Sequence, residues 1–270
     1  MFFFPLKDDN DTNGQPVVMW TILIACILTF MWQVSMGREE REMVIALGMI
    51  PARIFGILEF PNELAYTPAW MTIISSMFLH GGFMHLAGNM LYLWIFADNV
   101  EDSMGPVRFI ILYVLCGIAA AFSQAMMDPQ STVPMIGASG AIAGTLGAYL
   151  MLHPRANVRC VAGIFVFFKR FNIPAFIVLG GWIGLQFLNL GQSDSNVAYV
   201  AHIGGFVAGM ALIPFLKRGD VPLFAPAQSK AFEVTPLRQK TIHVPQVPSK
   251  MPPRDGQAGS VRPQKHPWEN

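Results

Sequence analysis

The stretch Gly137-Ala138-Ser139-Gly140-Ala141-Ile142-Ala143-Gly144-Thr145-Leu146-Gly147-Ala148-Tyr149-Leu150-Met151-Leu152 contains no charged residue, and glycines recur along it at 140, 144 and 147. From Ser139 it offers fourteen residues, roughly 21 Å as a helix against about 30 Å of hydrocarbon in a bilayer. Such a helix crosses a membrane only if it starts below one surface. Ser139 then sits at the floor of a cavity that opens outward.

The flanking sequence has the same character. Apolar runs at Val17 to Met36, Gly81 to Val100, Pro106 to Gln124, Pro174 to Leu190 and Val197 to Phe215 are separated by short polar breaks. The chain has 270 residues, 53% hydrophobic and 13% charged, with mean hydropathy +0.43; a soluble domain carries about 25% charged residues. The expectation is an all-α polytopic membrane protein with six transmembrane helices. Lys and Arg collect on cytoplasmic loops. With the N-terminus inside, the internal segments hold Lys7, Arg108, Arg155, Arg159, Lys169, Arg170 and nine basic residues from Lys217 to Lys265, while the external loops hold Arg38, Arg41 and Arg53. Both termini are therefore placed inside.

This divides the chain into a short cytoplasmic N-terminus (1–16), a six-helix domain (17–217) and a Pro-, Lys-, Gln- and Ser-rich tail (218–270) expected to be disordered. The first apolar run follows Lys7, Asp8, Asp9 and Asp11 and is too long for a signal-peptide core, so it is expected to be a retained anchor. Residues Val158 to Phe168 are apolar but too few to span, and an interfacial segment or a prolonged fourth helix is expected there. The long first external loop, Gly37 to His80, is expected to be structured and partly membrane-embedded. A net charge of +1 without a basic patch excludes a nucleic-acid footprint. Cys26, Cys116 and Cys160 lack metal or disulfide spacing and read as buried hydrophobes.

Polar side chains are expensive in hydrocarbon, so those within spans are candidates for function. Span two opens with His80, His85 and Asn89, span four with Ser139, and span six carries His202. Alternating topology puts His85, Asn89, Ser139 and His202 at one depth below the outer surface. Ser139 can be activated by a histidine base, and His202 is the candidate. His85 and Asn89, at i and i+4, face one way and can donate to an oxyanion, as can the Ser139 amide at a helix start. His80 is a possible accessory residue. Asp98 lies nine residues beyond Asn89, about 13 Å along the helix, so a Ser-His dyad is expected instead of a triad. Gly205 and Gly209 follow His202 on its own face, and Gly140 and Gly144 form a matching strip, which lets spans four and six approach closely. Taken singly, Ser139 could bond back to its own helix, and His85, Asn89 and His202 could join helices together. His153, His243 and His266 read as solvated. HExxH and Gly-x-Gly-Asp are absent, and Gly137 to Ala141 lacks the second glycine of the soluble hydrolase elbow.

In His80, His85, Asn89, Gly137-Ala138-Ser139-Gly140, His202, Gly205 and Gly209, with their order and span numbers, the chain resembles the rhomboid intramembrane proteases from roughly Val17 to Lys217. The resemblance implies cleavage of single-pass transmembrane proteins in or near the outer leaflet and no metal or organic cofactor. It also implies a first loop lying in the outer leaflet, a cap over the site formed by Gly191 to Asn196, and an oxyanion held by His85 and Asn89. Non-catalytic rhomboid-like proteins that bind membrane clients are the alternative; those typically lack the serine or histidine. Where many members have Trp-Arg this chain reads Ala69-Trp70-Met71, which leaves the anchoring of the first loop open. Without a basic, Ser-rich leader the expected location is a bacterial cytoplasmic membrane. Substrate identity and oligomeric state stay open.

Overall fold

The structure is a computed structural model that describes residues 2–12, 14–164, 167–190 and 197–227. The expectations placed on Gly191 to Asn196, on His243 and His266 and on the tail beyond residue 227 lie outside the described residues. Among those described, the helices are α1 (Val17–Ser35), α2 (Glu40–Leu47), α3 (Pro51–Ile54), α4 (Thr72–Ser75), α5 (Phe83–Met104), α6 (Pro106–Met127), α7 (Ser139–Leu152), α8 (Ala175–Leu188) and α9 (Tyr199–Leu216).

Six of these form a bundle, and the chain reverses direction between each and the next. At one end Glu101 of α5 accepts from the amides of Val18 and Met19 at 2.9 and 2.8 Å, so a carboxylate from another helix satisfies the orphan donors and positive dipole end of α1. At that end too the Arg218 amide after α9 donates to Ser103 O, and the Ala175 amide opening α8 to Ala156 O. The turn from α5 to α6 is the single residue Gly105, with φ +84°, followed by Pro106 at the first position of α6. Glycine accepts the positive φ and proline starts a helix without needing its missing N–H. At the opposite end Gln33 of α1 bonds both backbone groups of His80, and Ser139 meets His202.

α7 is the central post, with ten of its fourteen residues buried. A helix apolar all round is one enclosed all round. Its glycines let α9 approach backbone to backbone. A Cβ on Gly205 would collide with the Gly140 carbonyl, one on Gly209 with Gly144, one on Gly147 with the Phe206 carbonyl, and one on Gly144 with the Cys116 side chain of α6. On Gly140 a Cβ would come within 2.5 Å of Ala120 of α6. The three cysteines are free and buried.

The outside of the bundle is greasy. Trp20, Leu28 and Met31 of α1, Met126 of α6, Leu188 of α8 and Phe215 of α9 are all exposed. α1, α6 and α9 are long and apolar enough to cross a membrane, whereas α7 and α8 are shorter apolar helices. An apolar surface on this scale is foreign to a soluble monomer.

Three features correct the sequence reading. First, the fold adds a small sheet to an otherwise helical bundle. The described residues of this apolar stretch, 158–164 and 167–168, do not prolong α7. They belong to strands β2 (Asn157–Ile164) and β3 (Phe167–Pro174), and β2 also pairs antiparallel with an N-terminal strand, β1 (Phe2–Asp8), in the order β1-β2-β3. Pro5 has no N–H for a ladder, which suits an edge strand, and the register slips between Pro5 and Lys7. Second, order extends past residue 218. Val221 and Leu223 pack on the bundle, and the amides of Phe224 and Ala225 donate to Met151 O and Leu152 O at 2.8 Å, closing the end of α7. Third, His153 is half-buried, its ring edge-on to Tyr149 with centroids 5.5 Å apart. Burial lowers its pKa from the usual histidine value.

The first loop carries α2, α3, α4 and several 3-10 turns. Arg53, from α3, holds it: Nη1 donates to Ala46 O at 2.9 Å, Nη2 to Thr67 O at 2.5 Å, and the guanidinium lies 3.9 Å from the centre of the Phe60 ring. The anchoring left open by Ala69-Trp70-Met71 is thus supplied by an arginine sixteen or more residues earlier.

Candidate active site

Ser139 is the first residue of α7, and the segment before it is fixed by the first loop. Met135 and Met49 exchange both backbone hydrogen bonds, at 2.8 and 3.1 Å, and the Gly137 amide donates to Ser76 O at 2.8 Å. Gly137 then turns the chain with φ +126°, where a Cβ would also stand 2.8 Å from His85 Nε2. Only glycine fits there. As the first residue of its helix, Ser139 has an amide with no carbonyl one turn back inside the helix.

His202 lies in the first turn of α9, which the glycine seam presses against α7. Its Nε2 is 2.8 Å from Ser139 Oγ. Its Nδ1 is 2.8 Å from Oε1 of Gln186 on α8, and the Trp182 ring, one turn earlier on α8, leans over the imidazole with centroids 5.6 Å apart at 37°. Both ring nitrogens therefore have neutral partners. Glu101 and Asp102 stand at the other end of the bundle.

His85 and Asn89 lie in the N-terminal half of α5. The Gly81 amide donates to His85 Nδ1 at 3.2 Å, which leaves the ring hydrogen on Nε2, the nitrogen beside Gly137. Asn89 Nδ2 donates to His85 O at 3.0 Å, and its second N–H remains for another acceptor. His85, Asn89, Ser139 and His202 all line one cavity of about 1220 Å³, with Trp182 and Gly140 also in its wall. His80 does not reach that wall. It is buried, its Nδ1–H donates to Phe78 O at 3.1 Å, and its ring meets that of His85 edge-on at 5.2 Å. Its place is behind His85.

Chemically the arrangement offers a serine hydroxyl with an acceptor nitrogen in contact, and donors from His85, Asn89 and the Ser139 amide nearby. No group of three or more His, Cys, Asp or Glu that could hold a metal occurs among the described residues. Gln186 and Trp182 were not among the sequence candidates. The signal was available, since Gln186 is an amide inside an apolar run, the same criterion that singled out Asn89.

Comparison with known proteins agrees with the geometry. A family model described as the Rhomboid domain matches residues 67–219, a range that holds α5 to α9 and every candidate residue. Similar proteins include "Rhomboid protease GluP" of Bacillus subtilis, 30% identical over 200 residues that cover 73% of this chain and 34% of that protein. "Rhomboid protein 1, mitochondrial" of Saccharomyces cerevisiae is 29% identical over 193 residues, 64% of this chain and 52% of the relative. "RHOMBOID-like protein 5" of Arabidopsis thaliana is 31% identical over 173 residues, with coverage of 64% and 52%. The chain spans a third to a half of the length of these relatives. Its apolar helices and the family match make it an integral membrane protein, and the chain belongs to the rhomboid family.

Proposed function

We propose that this chain is an intramembrane serine endopeptidase that cleaves single-pass transmembrane proteins in or near the outer leaflet. The observation that carries the proposal is the 2.8 Å contact between Ser139 Oγ and His202 Nε2, at the wall of a cavity that also holds His85 and Asn89. In this reading Ser139 Oγ attacks the scissile carbonyl carbon while its proton passes to His202 Nε2. The tetrahedral oxyanion accepts from the Ser139 amide, Asn89 Nδ2 and His85 Nε2. Collapse breaks the C–N bond, the amine leaving with the proton from His202. Water then attacks the acyl ester, giving its proton to His202, which returns it to Oγ as the ester C–O bond breaks. The intact pair favours this over a non-catalytic client-binding role.

Six membrane crossings with both termini inside belong to the same proposal. Their support is the six alternating helices together with the excess of Lys and Arg in the segments assigned inside. A bacterial cytoplasmic membrane is the proposed setting, in keeping with the Bacillus subtilis relative. Reporter fusions after Gln130 and after His153 should read outside and inside respectively. The chemistry is tested with purified protein in liposomes and a single-pass substrate whose segment carries helix-weakening residues. Ser139→Ala should abolish cleavage while leaving expression and thermal midpoint unchanged. Undiminished cleavage by that variant would sink the mechanism.

A further inference from the structure

We propose that Gln186 is a positioning residue, whose side-chain oxygen holds His202 in the one tautomer able to accept the Ser139 proton. The inference rests on the dyad reading above. Gln186 is buried on α8, and its amide is oriented by its own helix: Nε2 donates to Trp182 O, one turn back, at 2.9 Å. A carbonyl only accepts, so the amide nitrogen must occupy that side, and turning the group over would set oxygen against oxygen. Oε1 is thereby directed at His202 Nδ1, 2.8 Å away. An amide oxygen also only accepts, so Nδ1 carries the ring hydrogen. Neutral imidazole has one such hydrogen. The Nε2 lone pair is then free, 2.8 Å from Ser139 Oγ.

The opposite tautomer would present a lone pair to Oε1 and an N–H to Oγ, losing one hydrogen bond and reversing the other. Trp182 adds steric control, since its ring lies tilted against the imidazole while Gln186 fixes the edge. One turn of α8 thus seats the base of a dyad whose other partner is on α7. Gln186 neither gains nor loses a proton in the cycle. When His202 becomes imidazolium, Nδ1–H still donates to Oε1, and a charged donor strengthens that bond. The role filled by a buried carboxylate in a triad is taken here by a neutral amide, which brings no unpaired anion into an apolar bundle.

The test uses the full chain in detergent micelles, labelled with ¹⁵N-histidine, together with a fluorophosphonate probe that acylation-competent serines react with. Wild type should label at Ser139, and failure to do so would count against the dyad itself. The ¹⁵N shifts of His202, assigned by its loss in His202→Ala, should report the Nδ1–H tautomer. Gln186→Leu should mix the tautomers and lower the labelling rate and kcat/KM by roughly 10- to 100-fold with KM unchanged. Gln186→Glu keeps an acceptor at Nδ1 and should recover most of the rate. An Nε2–H tautomer in wild type would overturn the inference, whether or not the leucine variant folds. So would a Gln186→Leu protein that keeps the wild-type tautomer or labels at the wild-type rate.

Discussion

A serine hydroxyl becomes a nucleophile only where its proton has somewhere to go, and the smallest residues here decide whether it does. Gly137 turns the chain into Ser139 at φ +126°, with His85 Nε2 occupying the space where a side chain would begin. On the proposed mechanism, Gly137→Ala should therefore displace His85 and twist the Ser139 amide away from the oxyanion together. The expected result is a fall in kcat of about 100-fold or more, since a single oxyanion donor is worth roughly that much. Circular dichroism and the thermal midpoint should show a folded bundle, separating this loss from misfolding. Ser139, His202, His85 and Asn89 could be picked out in the sequence because a polar group within an apolar run stands out and the expected alternation of spans assigned them one depth; the structure sets all four in the wall of one cavity. Gln186 met the same criterion and escaped because no motif frames it. Its partner is His202, sixteen residues further along the chain on another helix.

Between helices, the α7 and α9 seam is held by the absence of side chains. Gly209→Val would drive a branched side chain into the Gly144 backbone, which cannot move aside as a side-chain tip would. Overpacking of this kind costs about 1–3 kcal/mol and upward. The thermal midpoint should fall and cleavage should fall with it, because separating the helices draws His202 from Ser139. Gly184→Ala on α8, where a Cβ meets nothing within 4 Å, is the matched control and should be neutral or slightly stabilising. In the first loop Arg53→Ala removes two hydrogen bonds to carbonyls and a stacked ring at once. The loss should approach about 3 kcal/mol, seen as faster hydrogen exchange from Ala46 to Thr67 while α7 stays protected. The glycine spacing could be read in advance because helical periodicity is local. The arginine could not, because its acceptors are main-chain carbonyls, which every residue carries.

The six-helix pattern was readable from hydropathy alone, while the sheet beneath it was not, because β1 and β2 pair across some 150 residues and neither carries a sign of its partner. What ties that sheet to the bundle is a buried carboxylate. Asp8, at the end of β1, accepts from Tyr149 Oη at 2.6 Å and from Asn99 Nδ2 at 2.8 Å, so the N-terminal strand is docked on α7 and α5 at the end away from Ser139. Burial pushes the Asp8 carboxyl up to about 7; the Tyr149 hydrogen bond opposes this, the nearby Asp98 and Asp9 add to it, and Lys7 works against it. A carboxyl with a raised folded-state pKa binds more protons folded than unfolded between its ordinary value, 3.8, and about 7. Its contribution to docking is complete below that window and is lost as pH rises through it. Hydrogen exchange of the β1 amides, corrected for intrinsic rates, should therefore show weaker protection at pH 8 than at pH 5. Asp8→Asn keeps an oxygen for Tyr149 but cannot ionise, and its protection should be flat across the same range. A β1 strand in wild type as well protected at pH 8 as at pH 5 would show that the buried carboxylate does not govern how the N-terminus is held.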